Sequence, residues 1–166
     1  MSLFTRSVTR LGPTLRWIMK RMPARVQDAA ANTIGGRTGT IGRLNEQRRF
    51  AEAYWHALDS MQHCERHHSV LQSLRFMDDL YWWFFFGWAF ELAGKLGDAE
   101  RRHVENLVVR APGAGGNQEA VCLAVLARWR WDLGDRDQAL TYARRGLLAD
   151  PTADFARELT EWMEKQ

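Results

Sequence analysis

An apolar run from Leu80 to Phe90 restricts what this chain can fold into more than any other feature of its sequence. Nearly every residue in the run is aromatic or aliphatic, and Asp79 and Glu91 bound it. It is too short to cross a bilayer, which takes about 20 apolar residues. A helix that is apolar on every side must be buried all round or face a partner. The run therefore predicts a helix at about 78–94 that other elements enclose.

The remainder of the sequence also favours helices. No stretch shows sustained period-two alternation, so we expect no strands. Apolar spacings of three and four residues, interrupted by glycine and proline, predict helices over about 44–63, 98–110, 118–132, 136–149 and 153–165, with a short connecting helix near 70–76. The sequence thus predicts an all-α fold.

Residues 1–31 have the character of a basic amphipathic arm. Residues 1–45 contain eight basic side chains and a single acid, Asp28, whereas the rest of the chain has fifteen basic and nineteen acidic side chains. Spacings of four and three place the arm's apolar residues on one helical stripe, and Pro13 predicts a break between two short helices. Such an arm on a mildly acidic body is typical of a protein with an anionic target. We expect the arm to contact a protein partner or an anionic membrane surface through Phe4, Arg6, Arg10, Arg16, Trp17, Lys20 and Arg21.

Residues 32–43 contain four glycines and little apolar pattern. We interpret this segment as a Gly-rich linker or extended loop. It would separate the arm at 1–31 from a helical domain at 44–166.

Part of that domain resembles a known repeat. Within the aromatic helix, four residues stand as W-x2-F-G-x2-F, and a small residue and a proline follow: Trp83, Phe86, Gly87, Phe90, Ala99 and Pro112. This arrangement is similar to the tetratricopeptide pattern W-x2-L-G-x2-Y…A…P. A second unit is similar through Leu123, Leu126, Ala127, the turn Gly134-Asp135, Ala139, Leu147, Leu148 and Asp150-Pro151.

The resemblance implies a short tetratricopeptide-like array of α-hairpins, of the α-solenoid type. Its units would lie at about 80–113 and 118–151, with a capping helix at 153–165. Small residues such as Ala99 and Ala139 would allow the two helices of each hairpin to approach closely. The chain departs from the pattern at His103, Arg130 and Ala143, which occupy slots that usually hold aromatic residues.

The aromatic helix has more large side chains than one hairpin core needs. We expect Trp82, Phe85 and Trp88 to lie on an outer face, where they would contact a partner protein or lipid headgroups. The alternative is that the region 44–76 covers them.

A histidine-rich segment is the best candidate for chemistry. His63 and His67 lie one helical turn apart, as do Cys64 and His68, and that spacing can hold zinc. The motif is not H-E-x-x-H, however, and no second ligand pair accompanies it. Because no Ser-His-Asp or Cys-His arrangement stands out either, the sequence predicts no enzyme, no catalytic residue, no metal and no cofactor.

These observations lead to one principal interpretation and two alternatives. We expect a non-catalytic interaction or scaffold protein that is an accessory subunit in a larger, membrane-associated complex. The Arg-rich arm resembles a mitochondrial targeting segment, so a mitochondrial location is favoured over a cytoplasmic one, and no secretory signal is evident. The alternatives are an RNA- or ribosome-associated factor that uses the arm and a small metal-dependent enzyme built around His63–His68.

Overall fold

The computed structural model of the chain describes residues 34–71, 75–113 and 115–166. These residues form helices joined by turns and loops. The side chains of 34, 67–71 and 75–80 are outside that description. The predicted arm at 1–31 also lies outside it. The described residues contain α-helices and one 3-10 turn, and no strand, as the sequence predicts: α1 Ile34–Glu46, α2 Phe50–Leu71, α3 Arg75–Leu96, α4 Asp98–Asn106, the 3-10 turn Leu107–Arg110, α5 Asn117–Asp132, α6 Arg136–Ala149 and α7 Asp154–Glu164.

The chain divides into two compact units, Met1–Thr40 and Ile41–Gln166. Of the first unit only residues 34–40 are described, and these form the first turns of α1, where the Thr40 hydroxyl donates to the Gly36 carbonyl at 3.0 Å. All packing contacts below belong to the second unit.

The helix α1 corrects the prediction of a linker or loop over 32–43, because residues 34–43 are helical. Ile41 and Leu44 are buried, and their spacing of three residues puts them on one side of the helix. Burial of these two side chains outweighs the low helix propensity of the glycines. A Cβ atom at Gly39 or Gly42 would meet no atom within 4 Å, so packing does not require glycine at either position.

The helix α2 is longer and begins later than the sequence predicted. It starts at Phe50 rather than Leu44, after a turn in which Arg48 has a φ of 57°. It then continues to Leu71, so the separate connecting helix predicted near 70–76 is wrong.

The helices α2 and α3 pack against each other as an antiparallel pair. The Trp82 indole N–H donates to Glu65 Oε1 at 3.1 Å near the end of α2. Near its start, the Lys95 ammonium lies 5.0 Å from the centre of the Phe50 ring. This packing buries Trp82 and Phe85, so the prediction that these two residues lie on an outer face is wrong. The alternative, in which the preceding helical region covers them, is the one observed.

The helices α5 and α6 form a second antiparallel pair. Gly134, in the turn between them, has a φ of 84°, which favours glycine. At the opposite end of the pair, the Gly116 N–H donates to the Ala149 carbonyl at 2.6 Å. Between these points, a Cβ atom on Gly146 would lie 3.3 Å from the Ala120 carbonyl oxygen. Ala139 is fully buried.

The small residues of the aromatic unit have other contacts than predicted. A Cβ on Gly87 would meet the Cys122 sulfur of α5 at 3.4 Å rather than an atom of α4. Ala99 is exposed, so the close contact predicted for it is wrong. The physical reason is that α3 continues to Leu96, and α4 then begins at Asp98. Near this turn, a Cβ on Gly94 of α3 would instead meet the guanidinium of Arg101 on α4.

The helices α3, α5 and α7 lie side by side and run in the same direction. From α3 to α5, the Cys122 thiol donates to the Trp83 carbonyl at 3.3 Å, and the Phe90 and Trp129 rings lie 5.4 Å apart. From α5 to α7, Ala120 packs in a cluster with the start of α7, and the Trp131 ring lies 5.1 Å from that of Trp162. In both pairs, early residues contact early residues and late residues contact late ones.

A double substitution tests the helical assignment of α1. We expect Gly39→Ala combined with Gly42→Ala to raise the free energy of unfolding by about 1 kcal/mol per site, because alanine is the better helix former and the space is open. Chemical denaturation measured by circular dichroism reports both stability and helix content. Gly113→Ala is the matched control, since it fills equally open space in a non-helical segment. A double variant no more helical than the control would contradict the assignment.

Candidate functional site

Helix geometry places one stripe of α3 and one stripe of α5 on the same side of the pair. The side of α3 that meets α5 includes Trp83 and Phe90, and the side of α5 that meets α3 includes Cys122 and Trp129. Successive helix residues are about 100° apart. When two parallel helices pack together, each residue that follows a contact residue on α3 points to one side of the pair. Each residue that precedes a contact residue on α5 points to that same side. The two stripes are Tyr81, Phe84, Trp88 and Glu91 on α3, and Val121, Val125, Arg128 and Asp132 on α5.

The helix α7 continues this side. The Arg128 guanidinium lies 5.5 Å from the centre of the Trp162 ring, so the α5 stripe and the α7 residue share one surface. Phe155 and Leu159 precede Trp162 at helical spacing and belong to the same stripe. We call the apolar members of the three stripes the apolar face: Tyr81, Phe84, Trp88, Val121, Val125, Phe155, Leu159 and Trp162.

The apolar face is partly exposed to solvent despite its composition. Val125 is 48% exposed, Phe155 40% and Trp162 39%. The other five members are partly exposed. Apolar side chains that are exposed singly are ordinary, whereas large contiguous apolar patches are typical of interaction sites.

The charges beside the apolar face are largely neutralised within the chain. Glu91 pairs with Lys95 at 3.5 Å, and Asp132 pairs with Arg128 at 3.1 Å. Among the described residues, Glu158 on α7 has no cationic partner within 4 Å. The face therefore offers apolar rings with one uncompensated carboxylate at its α7 edge.

Three aromatic residues of the face also carry unused hydrogen-bond donors. The buried indoles of α3 have acceptors, since Trp82 donates to Glu65 and Trp83 donates to the Pro112 carbonyl. Within the described part of the chain, the Tyr81 hydroxyl and the indole N–H groups of Trp88 and Trp162 have no such acceptor. A ligand with exposed acceptors would satisfy them.

A buried carboxylate fixes the helices behind the apolar face. Glu105 of α4 is only 3% exposed, and it accepts hydrogen bonds from the Arg130 guanidinium and, at 3.0 Å, from the Tyr142 hydroxyl. Arg130 also pairs with Asp135 at 3.1 Å. The hydrogen bond from Arg130 to Glu105 raises the pKa of the Arg130 guanidinium above its ordinary value. The cluster thus joins α4, α5 and α6 through bonds that satisfy the buried charge.

A second buried acid fixes the start of α5. Glu119 accepts a hydrogen bond from the Gly115 N–H at 2.9 Å and pairs with Arg145 of α6 at 3.3 Å. Its position in the first turn favours a carboxylate, since the N-terminus of a helix is its positive end.

The sequence-predicted contact residues fall into three groups. The first group lies outside the described residues and comprises Phe4, Arg6, Arg10, Arg16, Trp17, Lys20 and Arg21. Trp82 and Phe85 are interior. Trp88 is half-buried and belongs to the apolar face. Sequence reasoning missed Val125, Phe155 and Trp162 as one surface, because their proximity depends on how three helices pack.

The histidine-rich segment lies toward the end of α2. Cys64 is buried, and the side chains of His67 and His68 are outside the description. Among the described side chains, no group of three or more His, Cys, Asp or Glu residues is arranged to hold a metal ion. No described helix is both long enough and apolar enough to span a membrane.

Comparison of the chain with protein-family models, curated proteins and solved structures gives no significant match. The apolar face and the two buried acids are therefore the features from which a function can be inferred.

Removal of one cation tests the importance of the Glu105 cluster. We expect Arg130→Met to lower the free energy of unfolding by about 3–5 kcal/mol, because it leaves the buried Glu105 carboxylate without its charge partner. Arg128→Met on the same helix removes an exposed pair and should cost less than about 1 kcal/mol. Guanidinium titrations measure both values. Similar losses in the two variants would contradict a stabilising role for the cluster.

The Tyr142 hydroxyl predicts a stability change at high pH. Burial, followed by the neighbouring Glu105 charge, raises the pKa of Tyr142 to about 12. The unfolded chain releases this proton near the ordinary pKa of about 10. The protonated phenol therefore contributes fully to the free energy of unfolding below pH ~10, and this contribution is lost between pH ~10 and ~12. We expect the stability difference between the native chain and Tyr142→Phe to shrink over this window in urea titrations, and a constant difference would contradict the assignment.

Proposed function

We propose that this chain is a non-catalytic protein-binding subunit and that the apolar face is where it holds its partner. The observation that carries the proposal is the set of exposed apolar side chains that three parallel helices present on one side. Removal of such side chains from water favours protein association. Tryptophan and tyrosine are also among the residues that contribute most at interfaces.

We further propose that α3–α7 form a tetratricopeptide-like array. In support, each residue of the α7 stripe follows its neighbour on α5 by 34 positions, as in Val121 and Phe155, and 34 residues is the length of a tetratricopeptide unit. The interval from α3 to α5 is 37 positions, as in Phe84 and Val121. A capping role for α7 is supported by exposed charged residues away from its buried side, which include Arg157, Glu158 and Glu161.

The buried acids support a structural rather than a catalytic role. Glu105 and Glu119 each have an arginine partner and a further hydrogen bond, so neither carboxylate is left available for proton transfer. A catalytic acid or base has to reach the proton that it transfers, and these two groups are enclosed by the packing of α4, α5 and α6.

The larger setting of the proposal is a multi-protein assembly. The basic composition of residues 1–31 supports a second contact with an anionic surface, either of another subunit or of a membrane. Its similarity to a targeting segment supports a mitochondrial location. An RNA-associated role would instead make retention of the protein sensitive to nuclease and to salt.

The native size of the protein in a mild detergent extract of its own cells tests this function. We expect migration with a large complex. Val125→Glu combined with Phe155→Glu should release the protein, because charged side chains would have to be buried at the interface. The matched control is Val109→Glu combined with Leu148→Glu, which changes two exposed apolar residues on the 3-10 turn and α6, outside the face.

Three results would distinguish the possibilities in that experiment. Release of the face variant together with retention of the control supports the proposed function. Equal retention of both variants would show that the face does not hold the partner. Migration of the native chain as a free monomer of 19.2 kDa would overturn the assembly proposal.

A further inference from the structure

We propose that the chain has a second binding site, which takes a single carboxylate group where α3, α4 and α5 meet. Its donors are the guanidinium of Arg101 on α4 and the indole N–H of Trp129 on α5. Both side chains pack on the Phe90 ring of α3. None of these residues belongs to the apolar face, so the inference does not depend on the function proposed for that face.

The Arg101 guanidinium packs closely against α3. Its Cζ lies 5.5 Å from the centre of the Phe90 ring, within the range of a cation–π interaction. A Cβ atom on Gly94 would lie 2.6 Å from Arg101 Nε and 2.7 Å from Cζ. Gly94 is inside α3, where alanine would be the better helix former. The missing side chain thus makes room for the guanidinium and keeps it in one position.

This cation has no anionic partner in the described part of the chain. Its Nε is buried without a hydrogen-bond acceptor. The nearest acid on the inner side of α4 is Glu105, one turn later, and it is bonded to Arg130 instead. The Arg101 side chain as a whole is partly exposed, and neither Nη group is both buried and unpaired, so a ligand can reach them. A guanidinium held in this way offers the parallel N–H donors that a carboxylate binds.

A second donor lies on the same aromatic ring. The centres of the Trp129 and Phe90 rings are 5.4 Å apart. Trp129 is only 7% exposed, yet its indole N–H has no acceptor among the described residues. Buried tryptophan N–H groups usually have a partner, and an unpaired one indicates a water, an ion or a ligand. Two donors without acceptors therefore border Phe90, which selects a ligand that accepts hydrogen bonds.

The charge of the site specifies a carboxylate rather than a phosphate. Arg101 supplies one positive charge, and the Trp129 indole is neutral. Arg130 stacks on Trp129 at 5.3 Å, but Glu105 and Asp135 already neutralise it. A carboxylate carries one negative charge, whereas a phosphate monoester carries about 1.5–2 at pH 7. The single unpaired cation balances only the carboxylate, and charge without a partner is costly in a partly buried site.

Titration of the full ¹⁵N-labelled chain with sodium acetate tests this inference by NMR. Acetate replaces chloride at constant ionic strength. The signals followed are the Arg101 Nε–H and the Trp129 indole N–H, which Arg101→Lys and Trp129→Phe identify by their loss. We expect both signals to shift along one saturable curve with a Kd on the order of 10 mM. Inorganic phosphate should bind about 10-fold more weakly.

Three variants separate this site from general effects of anions. Arg101→Met should abolish the saturable shift of the Trp129 signal. Arg102→Met is the matched control, because it removes an exposed arginine from the next position of α4 and should leave the shift unchanged. Gly94→Ala should weaken acetate binding by about 10-fold, since its Cβ displaces the guanidinium. Circular dichroism should show native helix content in all three variants.

Three results would overturn the inference: no saturable shift with acetate, equal affinity for phosphate, or a shift that persists in Arg101→Met. The native size of the same variants in the detergent extract distinguishes two sources of the carboxylate. Release of Arg101→Met but not of Arg102→Met from a complex supports the site and assigns the carboxylate to a bound protein. Retention of both variants, with acetate binding by the native chain, supports the site and assigns it to a small molecule.

Discussion

Burial of the aromatic side chains of α3 is the constraint on which the rest of the structure depends. Trp82 and Phe85 are covered where α2 packs on α3, while Trp83 hydrogen-bonds to the loop before α5 and Phe90 packs on Trp129. A helix of this composition has no stable exposed state, since each large side chain contributes about 1.5–3 kcal/mol on burial. Two neighbours cover α3 from different sides and leave one stripe of its described side chains partly exposed. That stripe becomes the first part of the apolar face.

The buried acids determine how the remaining helices are placed around this core. Glu105 is buried among α4, α5 and α6, and its hydrogen bonds with Arg130 and Tyr142 are directional, so they favour one relative placement of these helices. Glu119 and Arg145 act in the same way at the other end of the α5–α6 pair. Apolar packing alone tolerates several arrangements of similar volume, whereas a buried charge is tolerated only where its partners meet it. These acids place α5 relative to α4 and α6, while α3 and α7 are positioned on α5 by their own contacts, such as Phe90 with Trp129 and Trp162 with Trp131.

Local patterns predicted the helices well and the contacts between them less well. Spacing and glycine turns were sufficient for α5, α6 and α7, whose predicted bounds lie within a residue or two of the observed ones. The glycines of α1 misled the prediction, since burial of Ile41 and Leu44 overrides local propensity. Arg130 stood out in the sequence as a departure from the repeat pattern, but its role depends on Glu105, which is distant in the chain. The apolar face also combines residues of three helices, so no local pattern could have predicted it.

Distances between the open stripes test the central claim, which is that α3 and α5 present them on the same side. Cysteines introduced at Glu91 and Arg128, both exposed, would be joined within one molecule by a short bismaleimide. Reaction of the native Cys122 would be slow, because burial raises the pKa of its thiol to about 12. A control pair at Arg102 and Arg128 combines α5 with an exposed position on α4. The account predicts rapid cross-linking of the first pair and little of the second. Equal or reversed yields, read by mass spectrometry, would contradict it.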